Sequence, residues 1–281
     1  MRLLFLFICW CCCCGVQAEP GRPLGLPPLA IPADNPQTPA KIALGKQLFH
    51  DPRFSQTGEV SCASCHNPQR AFTDHQPVSK GIHRLAGARN APTVINAAFL
   101  QSQFWDGRAA DLEEQAIQPM LNPIEMGMPD NEAVLAVVRS DAGYSEQFQS
   151  VFGVTGAAID IRHVANAIAS YERTLIAGDS PFDHYYFNND QAAISQSAKR
   201  GLSVFFNRAA CASCHTLDRD YTLLTDHRFH NIGVGYQRLE RLLQPLEKRK
   251  ETISKSKLEA RAGEHSIELG RFVVTGNYQD I

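Results

Sequence analysis

The sequence predicts a mainly α protein assembled from two similar units, and three observations carry that prediction. Apolar residues recur at helical spacing, most clearly at Val164, Ile168, Tyr171 and Leu175. Alternating runs that would mark strands are scarce, and residues 271–275 are the one credible strand. The run Cys-Ala-Ser-Cys-His occurs twice, at residues 62–66 and 211–215.

The 281 residues are 44% hydrophobic and 20% charged, which supports a packed core and argues against wholesale disorder. A formal net charge of -2 gives no electrostatic reason to expect nucleic acid as a partner. In chain order, Arg2 followed by the apolar run 3–16 and by Val16-Gln17-Ala18 reads as an export signal cut after Ala18. That run is too short to span a bilayer comfortably. Residues 19–38, rich in Pro and Gly, read as an extended arm. Pro39 suits the first turn of a helix that continues through Ile42, Leu44, Leu48 and Phe49. Asp130 or Asn131 caps a helix through Val134, Val137 and Val138. The strongest helical pattern runs over 161–177 and stops at Gly178. A boundary near Ser180-Pro181 divides an N-terminal unit, 39–180, from a C-terminal unit, 181–281. A helix over 191–206 leads into the second Cys-Ala-Ser-Cys-His. Residues 237–262 carry eight Lys or Arg and four Glu with few large apolar positions, and read as a solvated surface segment. The alternative for that segment is a docking patch for an acidic redox partner.

Cysteine placement is sharper. Of nine cysteines, five (Cys9, Cys11, Cys12, Cys13 and Cys14) lie in the expected leader. The other four, Cys62, Cys65, Cys211 and Cys214, all belong to the two Cys-x-x-Cys-His runs, so none is left for a structural disulfide. Cys-x-x-Cys-His is the attachment pattern for c-type haem: each thiol adds to one vinyl group, and the adjacent histidine is held under the iron. A redox pair would need a thioredoxin-like strand and helix, and a zinc site would gather both thiol pairs around one ion. Two covalent haems are therefore expected, with His66 and His215 as their proximal iron ligands. Residues 45–49 (Gly-Lys-Gln-Leu-Phe) and 201–205 (Gly-Leu-Ser-Val-Phe) precede the two motifs in similar fashion, as an internal repeat of one haem unit would.

Around these motifs the chain resembles the bacterial di-haem cytochrome c peroxidases and the related MauG enzymes. The likeness runs from about Lys41 to Thr275. It is carried by Leu44-Gly45-Lys46, Asp51-Pro52-Arg53-Phe54-Ser55, Val60-Ser61-Cys62, Arg89-Asn90-Ala91-Pro92-Thr93 and Gln103-Phe104-Trp105-Asp106-Gly107-Arg108. Glu114-Gln115-Ala116, Glu125-Met126 and Phe229-His230-Asn231-Ile232-Gly233 continue it. The resemblance implies two cytochrome c-like domains in the periplasm that reduce hydrogen peroxide. Electrons would come from a small cytochrome c or copper protein, enter at the His215 haem and pass near Trp105 to the His66 haem. It assigns Gln115 and Glu125 to the peroxide side, where O–O cleavage requires a proton moved from the inner to the outer oxygen. Without it, both would read as ordinary surface polar groups near a Pro-rich turn. It also assigns Asn90 to a calcium site between the haems, and implies a homodimer.

Two departures qualify the likeness. The family's distal switch histidine aligns with Ile82; His83, one place away, is the candidate switch ligand, with His75 nearby on the same segment. If neither binds, the first haem is open without reductive activation. The family pattern also continues past residue 275 with calcium ligands and a sixth ligand to the second haem, Met in peroxidases and Tyr in MauG. Here the sequence ends at Ile281, so the second unit reads as incomplete, and the second iron is expected either to be five-coordinate or to borrow His227, His230, His265 or Tyr278. The alternatives to a peroxidase are a MauG-like oxidase of a partner protein and a non-enzymatic electron carrier or relic.

Overall fold

The computed structural model describes residues 21–249 and 252–281; the expected leader lies outside them. Among the described residues the fold is helical. Its only β-type pairings are three isolated bridges, at Asn67 with Thr73, Lys80 with Ala86 and Gln103 with Ala109. No described helix is long and apolar enough to cross a membrane.

Helix α1 (Pro39–His50) starts where expected, with the Thr38 hydroxyl accepting from the Lys41 amide and proline in the first turn. The one-turn α2 (Cys62–Cys65) carries the first Cys-Ala-Ser-Cys. Helix α3 (Leu112–Leu121) was not expected from the Pro-rich sequence around it. Asp111 caps it, and Pro119 sits in its last turn, where it removes one intrahelical hydrogen bond just before the helix ends. Asp130 caps α4 (Asn131–Ser140), which buries Val134, Leu135 and Val138. Asp141 caps α5 (Ala142–Phe152), and Gly153 ends it in the left-handed conformation.

Helix α6 (Ile161–Glu172) is shorter than its sequence pattern. Its expected continuation to residue 177 is broken because tertiary bonds claim the backbone: the Asn96 amide donates to the Leu175 carbonyl, and the Asn96 side chain bridges both backbone groups of Ala177. Ser180 and Pro181 then start α7 (Pro181–Phe187). Helix α8 begins at Ser195 rather than at residue 191 (Gln196–Phe206), since the serine hydroxyl caps it there.

The 237–262 segment also departs from its reading. It forms α9 (Tyr236–Arg249) and α10 (Lys255–Ala262). Leu239, Leu243 and Leu246 lie on one face of α9 and are buried with Leu258, Leu269 and Phe272. The basic residues made the segment look solvated, but its few leucines recur at helical spacing and form a core. The strand expected over 271–275 is instead the short helix α11 (Phe272–Thr275), because Phe272 is drawn into that cluster and no strand lies beside it.

The main core lies between α1, α3, α4, α5 and α6 and includes Leu44, Leu48, Phe49, Phe54, Tyr144, Phe148, Val164 and Ile168. Each such fully buried side chain contributes roughly 1.5–3 kcal/mol. Helices α1 and α6 form its most extensive pair. They can approach closely because residue 45 is glycine: a Cβ there would overlap the Ala167 carbonyl. The arm is pinned to the same pair. Asn35, 1% exposed, donates to Glu113 Oε1 and to the Asn166 carbonyl, and accepts from Lys41 Nζ. Arg173, 4% exposed, grips Glu113 with two bonds of 2.7 and 2.6 Å.

Burial alone would raise the Glu113 carboxyl, but the hydrogen bonds from Arg173 and Asn35 hold it below its ordinary value. A depressed folded-state value means this stabilisation is present above the ordinary carboxylate range and is lost as pH falls through the folded value. Glu113→Ala leaves a buried guanidinium unpaired. It is expected to cost about 3–5 kcal/mol in thermal unfolding, and Arg162→Ala, at the exposed pair with Asp34, less than about 1 kcal/mol.

Candidate functional site

The two Cys-Ala-Ser-Cys-His runs adopt closely similar local geometry. In each, one tight turn closes with the histidine amide donating to the first cysteine's carbonyl, at 2.8 Å for His66 and 2.9 Å for His215. This turn sets the two thiols on one face, with the histidine following. Each imidazole is then fixed by a backbone carbonyl. His66 Nδ1 donates to Phe72 O at 3.1 Å, and His215 Nδ1 to Leu224 O at 2.9 Å. With Nδ1 carrying the proton, Nε2 keeps its lone pair for a metal. An aromatic ring backs both: Phe49 lies 6.4 Å from His66 and Phe205 lies 6.2 Å from His215, centroid to centroid. These are the last residues of the repeated pentapeptides.

The first motif opens on a cavity of about 490 Å³, within the range of cofactor pockets. Cys62, Cys65 and His66 line it, together with Gln115, Pro119, Glu125 and Trp105. Burial pushes the Cys62 thiol up to about 12 and the Cys65 thiol up to about 11, and pushes His66 down, so all three are neutral at pH 7. Two thiols and a neutral imidazole nitrogen with a free lone pair, on the wall of one largely apolar cavity, suit a covalently held haem. At the second motif, Cys214 lies with Asp226 and His230, their ligand atoms within 4.8 Å of one another.

Gln115 stands on α3, while Glu125 lies in the loop after that helix. Three amides of the loop, those of Glu125, Met126 and Gly127, converge on the Asn122 carbonyl. The Asn122 side chain donates to Glu125 Oε1 at 2.9 Å. From the other side the Ile82 amide donates to the Glu125 carbonyl at 2.9 Å. This approach needs glycine at 81, where a Cβ would overlap the Glu125 backbone. Burial raises the Glu125 carboxyl above its ordinary range, and Arg108 partly opposes this. A carboxyl so placed keeps its proton to a higher pH than a free one does.

Trp105 is 57% exposed, and its indole nitrogen donates to the Asn90 carbonyl at 2.9 Å. The next residue, Asp106, accepts from Arg89 and Arg108, and its carbonyl accepts from Arg271 at 2.7 Å. Arg89 also reaches the Ile267 carbonyl. Trp105 thus stands at the seam between the first cavity and the C-terminal helices. Asn90 uses its Nδ2 on the Gln76 carbonyl at 2.6 Å. His83 is exposed, in left-handed backbone (φ 52), and is not among the residues lining the cavity.

Among the residues considered for the second iron, Tyr278 is already engaged. Its hydroxyl donates to the Ile253 carbonyl and accepts from the Ile253 amide. His230 Nε2 donates to Asp226 at 2.8 Å. Sequence reasoning missed Asn122, which holds Glu125, and Glu172, a buried residue on the cavity wall. Glu172 was readable: it falls four residues after Ile168, on the apolar stripe of α6, where a charged residue is out of place.

The family model described as "Di-haem cytochrome c peroxidase" matches residues 39–192. The methylamine utilization protein MauG of Methylorubrum extorquens is 41% identical over 219 residues, 78% of this chain and 59% of that protein. The cytochrome-c peroxidase IdrP1 of a Pseudomonas species is 34% identical over 272 residues, 94% of this chain and 69% of that protein. A solved MauG-like protein associated with microbial copper homeostasis is similar with a TM-score of 0.66 at 32% identity, over 77% of this chain and 65% of its own. The chain thus spans about six- to seven-tenths of the length of these relatives.

Replacing Cys62 and Cys65 together by Ser is expected to remove one covalent haem per chain. Replacing Cys211 and Cys214 is expected to remove the other. Intact mass and the pyridine haemochrome spectrum would check both.

Proposed function

The chain belongs to the di-haem cytochrome c peroxidase family, and on that premise we propose that it reduces hydrogen peroxide to water in the periplasm. The balance is one peroxide, two electrons and two protons to two waters, with the electrons drawn from a small reduced cytochrome c or copper protein. The observation that carries this reading is the raised, half-buried carboxyl of Glu125 on the same cavity wall as His66. A haem attached at Cys62 and Cys65 would supply the redox-active iron and an open coordination position.

The protein's residues do the rest. Gln115 orients peroxide by donating from its amide. Glu125 takes a proton from the inner oxygen and returns it to the outer one, and Asn122 keeps the carboxyl turned toward the cavity. Trp105, at the seam with the C-terminal helices, offers an aromatic step for electrons arriving from the His215 haem. We assign the peroxidatic unit to residues 39–180 and electron entry to residues 181–281. Asn90 Oδ1 is proposed as a calcium ligand, which its Nδ2 bond to Gln76 leaves available. His83 would reach the first iron only by rearrangement of the 79–87 loop, in which both His83 and Arg84 hold left-handed backbone. We propose a homodimer on the family resemblance.

A second reading, MauG-like oxidation of residues in a partner protein, draws on the likeness to the methylamine utilization protein over 78% of this chain. Steady-state oxidation of reduced cytochrome c by peroxide separates the two.

Glu125→Gln in the haem-loaded protein is expected to lower peroxide turnover by about 10²–10⁴-fold, with haem content unchanged. Unchanged turnover in that variant would remove Glu125 from the reaction. Trp105→Phe is expected to slow electron delivery to the first haem, read by stopped-flow absorbance, while leaving peroxide binding intact.

A further inference from the structure

Glu172 closes α6 on the wall of the first cavity. It is 5% exposed, and its Oε2 is buried with no hydrogen-bond partner. Its charged and titratable neighbours are otherwise engaged. On α6, Arg173 spends its guanidinium on Glu113 of α3, and Tyr171 packs against Phe49 and His50 of α1. Lys41 of α1 gives its ammonium to Asn35 and to the Pro36 carbonyl. On α2, the Cys62 thiol feels both Glu172 and Glu125. Glu125 has Asn122 as a partner and Arg108 facing it; Glu172 has no such partner for Oε2.

We propose that Glu172 is the redox-linked proton site of the first haem: when one electron reaches the iron held by His66, one proton from solvent binds the Glu172 carboxylate, and it leaves when the electron leaves. The inference rests on the haem assignment made above for residues 62–66. The electron comes from the reduced donor protein, so charge in the cavity is unchanged by the paired step. The physical reason is that two negative charges added to one low-dielectric cavity repel strongly, whereas an electron with a proton does not. Burial pushes the Glu172 carboxyl up to about 8, with Arg173 lowering it and Glu113 raising it, so its ionisation falls where one nearby charge decides it. Covalent haem cannot move away from this charge, which makes the coupling a fixed property of the site.

The test is a redox titration of the two-haem protein, followed at each haem's absorption band from about pH 6 to about pH 9. At fixed potential, the ferrous-to-ferric ratio of the first haem is expected to be nearly independent of pH well below the Glu172 value of about 8, and to fall toward about tenfold per pH unit as pH rises through it. In Glu172→Gln the fall should shrink to less than about twofold. An unchanged slope in that variant overturns the proposal. If Glu172→Gln does not load haem, redox-difference infrared spectroscopy on the Glu125→Gln protein decides instead. A carboxylic-acid carbonyl band that appears on reduction supports Glu172, and no such band overturns it. Haem content and peroxide turnover are measured on the same samples. Two haems without turnover would remove the peroxidase reading and leave the potential measurement standing, whereas absence of haem at Cys62 and Cys65 would overturn both.

Discussion

The close crossing of α1 over α6, where Gly45 meets the Ala167 carbonyl, is the contact on which the first site is built. A side chain at residue 45 would force the helices apart, and the interior is too densely packed to absorb such a shift. The crossing sets Phe49 against Tyr171, at 5.3 Å between ring centroids. It thereby places Phe49 behind His66 and brings the end of α6, with Glu172 and Arg173, to the cavity wall and to α3. One small residue in the middle of a helix thus links the main core to His66 and to the buried Glu172.

Three glutamates near this cavity show how partners decide the state of one chemical group. Glu113 has Arg173 and Asn35 and is held as a carboxylate, serving as a structural anchor for the arm. Glu125 has one amide partner and a distant guanidinium, and its carboxyl is raised. Glu172 has no partner at Oε2 and is raised to about 8. Desolvation acts on all three, and the difference lies in the hydrogen bonds that offset it.

The two haem motifs share a turn, a carbonyl lock on the imidazole and an aromatic backing, yet their surroundings differ. His66 is part of a deep cavity lined by α3 and α6, while His215 is exposed, and α8 beside it buries no residue. The second core forms elsewhere, from the leucines of α9 and α10 with Phe272. A repeated local motif therefore sits in two environments, which suits a division between chemistry and electron entry.

Much was legible without tertiary information because it depends on covalent chemistry or short-range spacing. Two thiols and a histidine within five residues form the attachment pattern for covalent haem, which is readable from spacing alone. Pro39 and Asp130 announce helix starts because a first-turn proline or a cap acts within one turn. The mainly α class followed from apolar periodicity. What the residues alone could not decide was set by partners distant in sequence. Asn96 stops α6 short of its apolar pattern by binding residues 175 and 177. Phe272 folds residues 271–275 as helix because a leucine cluster is there to receive it. Gln115 and Glu125 share a cavity because a capped helix and a loop pinned at Asn122 bring them there. The state of Glu172 depends on what surrounds it, since desolvation is a property of the packed interior and not of the residue.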